Sequence, residues 1–164
     1  MPNNACTIIE FEPYTEVSKT HPHSQQYTMD EPLRILLVED NASDAMLTEM
    51  ALDSTFADYE LYTMDNGKDV MPYLHRQGKF KDEHKPDMLL LDLSLPTKDG
   101  FEVLSEMAMQ SERFGDIPVV IQTGDRHSEF LKHTYGLNIV AYITKPCTAT
   151  KLRRAFASMK SRRK

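Results

Sequence analysis

The sequence contains no tryptophan and only two cysteines. Cys6 and Cys147 stand far apart, which excludes a disulfide framework and a paired metal-ligand spacing. So little cysteine fits a reducing, cytoplasmic setting. Long hydrophobic runs are missing too. Runs such as residues 88–91 are far too short to span a bilayer, and the N-terminal stretch carries Glu10, Glu12 and Glu16 where a signal peptide needs an apolar core. There is no overall excess of positive charge. A formal charge of -6 gives no general reason to bind nucleic acid or an anionic membrane. One basic stretch closes the chain, with Lys151, Arg153, Arg154, Lys160, Arg162, Arg163 and Lys164 and no acidic residue among them. It reads as a solvated helix face whose cations suit a helix C-terminus.

What is present suffices for one buried core: 164 residues, 40% of them hydrophobic. Residues 1–32 differ from the rest. They carry Pro2, Pro13, Pro22 and Pro32 with no sustained period, and read as a flexible N-terminal extension to a domain over residues 33–164. His21 and His23 flank Pro22 there, but two histidines do not make a metal site, which needs three or four converging ligands.

From residue 33 the pattern alternates. Strands are expected over residues 33–38, 60–64, 88–92, 118–123 and 139–144. Helices are expected over residues 43–52, 67–77, 101–109, 128–135 and 148–159, with Pro72 an irregularity in the second and Thr148 the N-cap of the last. Residues 78–86 read as a charged loop. The first and third strands are aliphatic on both faces, as buried parallel strands require. Five strands alternating with five helices give an α/β fold, a doubly wound parallel sheet with helices on both faces.

In such sheets ligands bind beyond the carboxyl ends of the strands. The first strand ends in Glu39-Asp40, the third in Asp92, the fourth in Thr123, and the fifth in Thr144-Lys145-Pro146. If the first strand is central with the third and fourth beside it, these ends converge. The set is then three carboxylates, a hydroxyl and an ammonium. Any one of these residues alone is ordinarily a loop residue or a helix cap; their joint placement points to a site. Three buried carboxylates repel one another and need a cation. Mg²⁺ suits them, because it takes a few carboxylates plus waters and substrate oxygens. A carboxylate backed by Mg²⁺ and a lysine can carry a phosphoryl group, with the hydroxyl adding a hydrogen bond.

These motifs resemble the response-regulator receiver family. Ile35-Leu36-Leu37-Val38-Glu39-Asp40-Asn41 is similar to its first strand and acidic pair. Leu91-Asp92-Leu93-Ser94-Leu95-Pro96 with Asp99-Gly100 is similar to its phosphorylation loop. Val120-Ile121-Gln122-Thr123-Gly124 and Ala141-Tyr142-Ile143-Thr144-Lys145-Pro146 resemble its fourth and fifth strands. The resemblance covers about residues 33–160. It implies the flavodoxin-like strand order 2-1-3-4-5 and Asp92 as phosphoacceptor. It implies Mg²⁺ held by Glu39, Asp40, Asp92 and the backbone carbonyl of Ser94. Thr123 and Lys145 would contact the phosphoryl group, and Gly124 would leave room for it. Thr123 and Tyr142 would form the switch, and the Lys145-Pro146 bond would be cis.

The implied partner is a sensor histidine kinase or a phosphotransfer protein. The protein would assist its own phosphorylation and dephosphorylation without being an enzyme in the ordinary sense. The loop over residues 78–86 and Leu47-Thr48-Glu49 resemble small stand-alone receivers serving phytochrome-type kinases. That resemblance implies no DNA-binding output domain and leaves a homodimer open. Asn138 stands where relatives place a glycine four residues before the switch aromatic, and is expected to supply the left-handed helix cap instead. A pseudo-receiver acting as a phosphorylation-independent interaction module is the alternative, and the intact polar set argues against it. A haloacid-dehalogenase-type phosphatase would need a second acid where Ser94 stands.

Overall fold

The computed structural model describes residues 31–124 and 136–162. The strands are β1 (Leu33–Val38), β2 (Tyr59–Met64), β3 (Met88–Asp92), β4 (Val119–Thr123) and β5 (Ile139–Thr144). The helices are α1 (Ala42–Asp53), α2 (Val70–Leu74), α3 (Gly100–Met109), α4 (Ser111–Phe114) and α5 (Ala149–Arg162). The sheet is parallel throughout, in the order β2-β1-β3-β4-β5. The expected order is therefore the observed one. The helix expected over residues 128–135 lies outside the described residues, as do Cys6, His21 and His23.

Alternation along each strand divides the core in two. Leu36, Val38, Leu89, Leu91, Val119 and Ile121 pack against α2 and α3 on one face. Ile35, Leu37, Met88, Leu90 and Val120 pack against Leu52 of α1 and Leu152 and Phe156 of α5 on the other. Burial of both faces explains why residues 35–38 of β1 and 88–91 of β3 read as unbroken apolar runs. Among the described residues, no helix is long and apolar enough to cross a membrane.

Besides the short α4, which lies outside every expected helix, the structure departs from expectation in four places. The helix expected over residues 67–77 is a 3-10 turn, Gly67–Asp69, followed by the short α2. Pro72 falls in the first turn of α2, where a missing N–H costs nothing. Arg76, with φ at 58°, turns the chain out of the helix. The charged loop over residues 78–86 is anchored by Phe80, which is buried and lies 5.5 Å from the Tyr73 ring and 6.0 Å from the Tyr62 ring. The left-handed residue before β5 is Gly136, with φ at 84°, and Asn138 is not in that conformation. Asn138 instead pairs through its backbone with Gly115 and Val119, tying the start of β5 to the loop before β4.

The fourth departure lies in the basic stretch, which is not a uniformly solvated face. Lys151 Nζ donates to the carbonyls of Thr144 and Pro146, at 2.6 and 3.0 Å, and the Arg153 guanidinium donates to the Ser54 carbonyl. Thr148 caps α5 as expected, its hydroxyl accepting from the Lys151 N–H at 3.4 Å.

Candidate functional site

The carboxyl ends of β1, β3, β4 and β5 form one acidic pocket. Glu39 follows β1 and is 2% exposed, and Asp92 ends β3 at the same 2%. Burial of two carboxylates side by side demands compensation. Lys145, directly after β5, provides it. Its Nζ lies 2.9 Å from Glu39 Oε1, 2.6 Å from Asp92 Oδ2 and 3.0 Å from Asp44 Oδ2. Its three N–H donors are thereby all used.

The backbone aims these groups. The Lys145 N–H donates to the Thr123 carbonyl at 2.9 Å, which fixes where the lysine leaves the sheet. The Lys145-Pro146 peptide is cis. The Ser94 N–H donates to Asp92 Oδ1 at 2.9 Å, and the Asn41 N–H donates to Glu39 Oε1 at 3.1 Å. Asp92 therefore presents one oxygen to a backbone amide and the other to an ammonium.

The loop after Asp92 is held by close backbone approaches. A Cβ on Gly100 would come within 2.4 Å of the Asp92 carbonyl oxygen, and one on Gly67 within 2.1 Å of the Lys98 carbonyl oxygen. No side chain fits at either position. Asp99 caps α3 through a capping box with Glu102, which sets the far end of the loop.

Burial works against the ammonium of Lys145, but its hydrogen bonds to Asp92, Glu39 and Asp44 outweigh that cost and raise its pKa. Glu39 is also raised, because its own burial outweighs the hydrogen bonds from Lys145 and the Asn41 amide. The two directions agree physically: the ammonium has three acceptors, while Glu39 shares that one ammonium with Asp92 and Asp44.

Glu39, Asp40 and Asp92 each offer a carboxylate oxygen, and these oxygens lie within 4.8 Å of one another. Asp40 is exposed. Glu39 Oε2 is buried and lies 2.7 Å from Lys145 Nζ, so both oxygens of this carboxylate face the ammonium. Three carboxylates able to bring oxygens this close together fit a hard divalent cation with oxygen ligands.

The remaining expected residues fall as follows. Thr123 is buried at the end of β4, one position beyond Gln122, the register partner of Asp92. A Cβ on Gly124 would meet no atom of the described residues within 4 Å. Tyr142 is half-buried in β5, opposite Ile121, and packs on the core face shared with α2 and α3. Ser94 is exposed and meets Asp92 through its N–H.

Sequence reasoning missed two polar groups here. Asp44 looks like a first-turn acid that favours the helix dipole; its contact with Lys145 shows only in three dimensions. Gln122 is fully buried and accepts from the Thr48 hydroxyl at 3.3 Å through Oε1, while Nε2 has no partner among the described residues. A polar residue inside an aliphatic strand was the available signal for it.

A doubly wound sheet of order 2-1-3-4-5, with an acid–lysine pocket at its carboxyl edge, defines a receiver-type protein. Residues 35–157 match the response regulator receiver domain, and the chain belongs to that family. Response regulator Rcp1 of Synechocystis is 38% identical over 114 residues, 70% of this chain and 77% of Rcp1. A probable methanogenesis regulatory protein, FilR2 of Methanothrix harundinacea, is 36% identical over 80% of this chain and 83% of its own.

Among solved structures, the phosphorylated cyanobacterial phytochrome response regulator RcpA superposes with a TM-score of 0.63 at 34% identity, covering 80% of this chain and 91% of RcpA. The bacteriophytochrome response regulator AtBRR gives 0.68 at 33%, covering 79% and 94%. The Mn²⁺-bound form of Rcp1 gives 0.62 at 32%, covering 79% and 91%. Receiver domains act as phosphoacceptor switches and bind a divalent metal at an acidic pocket.

Proposed function

We propose that this protein is a phosphorylation switch in which Asp92 accepts a phosphoryl group from a kinase phosphohistidine. The observation that carries the reading is Lys145 Nζ at 2.6 Å from Asp92 Oδ2, beside carboxylates able to share a cation. An Asp92 oxygen attacks phosphorus, the P–N bond breaks, and its electron pair returns to the donor imidazole, which takes up a proton. The product is an acyl phosphate on Asp92.

Glu39, Asp40, Asp92 and the Ser94 backbone carbonyl would hold Mg²⁺, which when bound neutralises charge on the phosphoryl oxygens. Lys145 pairs with one phosphoryl oxygen, and the Thr123 hydroxyl donates to another. Thr123 and Tyr142 then bias the neighbouring surface between two states, a population shift that a partner protein reads. Residues 33–164 form the switching unit, working in the cytoplasm. The donor is a sensor histidine kinase or a phosphotransfer protein. Similarity to Rcp1, RcpA and AtBRR supports a phytochrome-type kinase.

The test is phosphotransfer from an autophosphorylated phytochrome-type histidine kinase in the presence of Mg²⁺. Label should move to the wild-type chain and not to Asp92→Ala. Transfer to Asp92→Ala at the wild-type rate would rule the assignment out.

A further inference from the structure

We infer that Asp44 is a positioning residue for phosphoryl transfer, its carboxylate aiming the Lys145 ammonium at Asp92. The inference rests on the reading of Asp92 as phosphoacceptor. It begins with the three donors of Lys145, which go to acceptors on three different elements. Glu39 directly follows β1, Asp44 sits in the first turn of α1, and Asp92 ends β3. With two N–H bonds fixed by Glu39 and Asp44, the third is directed at Asp92 Oδ2. A lysine on its own is a flexible four-carbon stem with a freely rotating head. Its direction here comes from the acceptors around it.

Local structure frees Asp44 for this task. An acid three residues after an N-cap commonly turns back to the N-cap N–H. In this chain Glu39 Oε1 already accepts from the Asn41 N–H, at 3.1 Å. Asn41 Oδ1 in turn accepts from the amides of Ser43 and Asp44, at 2.9 and 3.1 Å. The first turn is thereby locked, and the Asp44 carboxylate reaches Lys145.

Asp44 also differs in kind from the other two acceptors. Glu39 and Asp92 belong, with Asp40, to the carboxylates that could share a divalent ion; Asp44 does not. A carboxylate bound to a cation offers less negative charge to an ammonium. Asp44 is therefore the acceptor that stays with Lys145 when the other two are engaged. Its side chain is 31% exposed, against 16% for Lys145, so it keeps part of its hydration and needs no ion of its own.

The experiment measures phosphoryl uptake from radiolabelled acetyl phosphate with Mg²⁺, using the full chain. Asp44→Ala and the nearly isosteric Asp44→Asn are each compared in the wild-type and Lys145→Ala backgrounds. Both substitutions should slow uptake about tenfold when Lys145 is present, the size of a lost charge-assisted hydrogen bond, and cause no further loss when it is absent. An equal loss in both backgrounds would overturn the inference. A second readout needs neither metal nor donor. The ammonium-selected ¹H–¹⁵N spectrum of the metal-free protein should contain a slowly exchanging Lys145 resonance, identified by its loss in Lys145→Ala. That resonance should broaden away in Asp44→Asn; if it persists unchanged, Asp44 does not position the ammonium. Should the wild-type chain take up no phosphoryl group, the phosphoacceptor reading fails, and the ammonium spectrum still decides the contact.

Discussion

At the scale of single residues, the pocket is governed by an imbalance of charge. One ammonium faces three carboxylates at hydrogen-bonding distance, and Asp40 stands at the rim. Identity and order made Glu39, Asp40, Asp92, Thr123 and Lys145 legible, because each ends an apolar run. Asp44 was not legible, because a first-turn acid has an ordinary explanation that accounts for it fully. Cys147, close behind Lys145, offers a check on how tightly this corner packs. Burial pushes its thiol up to about 11, against weaker opposing contributions from the Thr48 hydrogen bond and the charge of Lys151. The fold thus favours the protonated thiol. Between about pH 9 and 11 the unfolded chain has lost a proton that the folded chain keeps, so stability falls as pH rises through that window. In a Cys6→Ser background, iodoacetamide should alkylate the native protein at pH 8 about 100-fold more slowly than a free thiol, in proportion to the thiolate lost. Mass spectrometry over time measures this, and a rate matching free cysteine would mean the thiol is not buried.

At the scale of elements, strands were easier to read than the segments joining them. A buried parallel strand has a local signature in its unbroken aliphatic run. The split of residues 67–77 into a 3-10 turn and α2 has no such signature. Gly67, which opens the 3-10 turn, passes so close to the Lys98 carbonyl that no Cβ fits, a contact between segments distant in sequence. Phe80 was likewise concealed by its charged neighbours, and its burial depends on the Tyr62 and Tyr73 rings. The loop from Asp92 to α3 matters most for the site. Its glycine was visible as part of the Asp99-Gly100 motif, and the structure supplies the reason: the Asp92 carbonyl leaves no room for a Cβ. Gly100→Ala must displace backbone rather than a flexible side chain. It should lower stability by about 2–3 kcal/mol, as steric overpacking at a backbone contact does. Urea denaturation measures the loss, and an unchanged midpoint would show that the loop yields freely.

At the scale of the whole molecule, the parallel sheet serves as a positioning device. Its strand order brings four strand ends to one edge, and burial of both faces makes those ends rigid. The order itself was legible only through resemblance, since alternation of strands and helices permits several windings. Once the order is given, the meeting of Glu39, Asp92, Thr123 and Lys145 follows from geometry. The account as a whole claims that this meeting makes Asp92 the phosphoryl carrier and that a divalent cation permits it. The most direct measurement is borohydride trapping after incubation with acetyl phosphate, which converts an aspartyl phosphate to homoserine, followed by peptide mass mapping. Homoserine should be found at position 92, in the presence of Mg²⁺ and not of EDTA. Homoserine at another aspartate, or an equal yield at position 92 without the metal, would contradict the account.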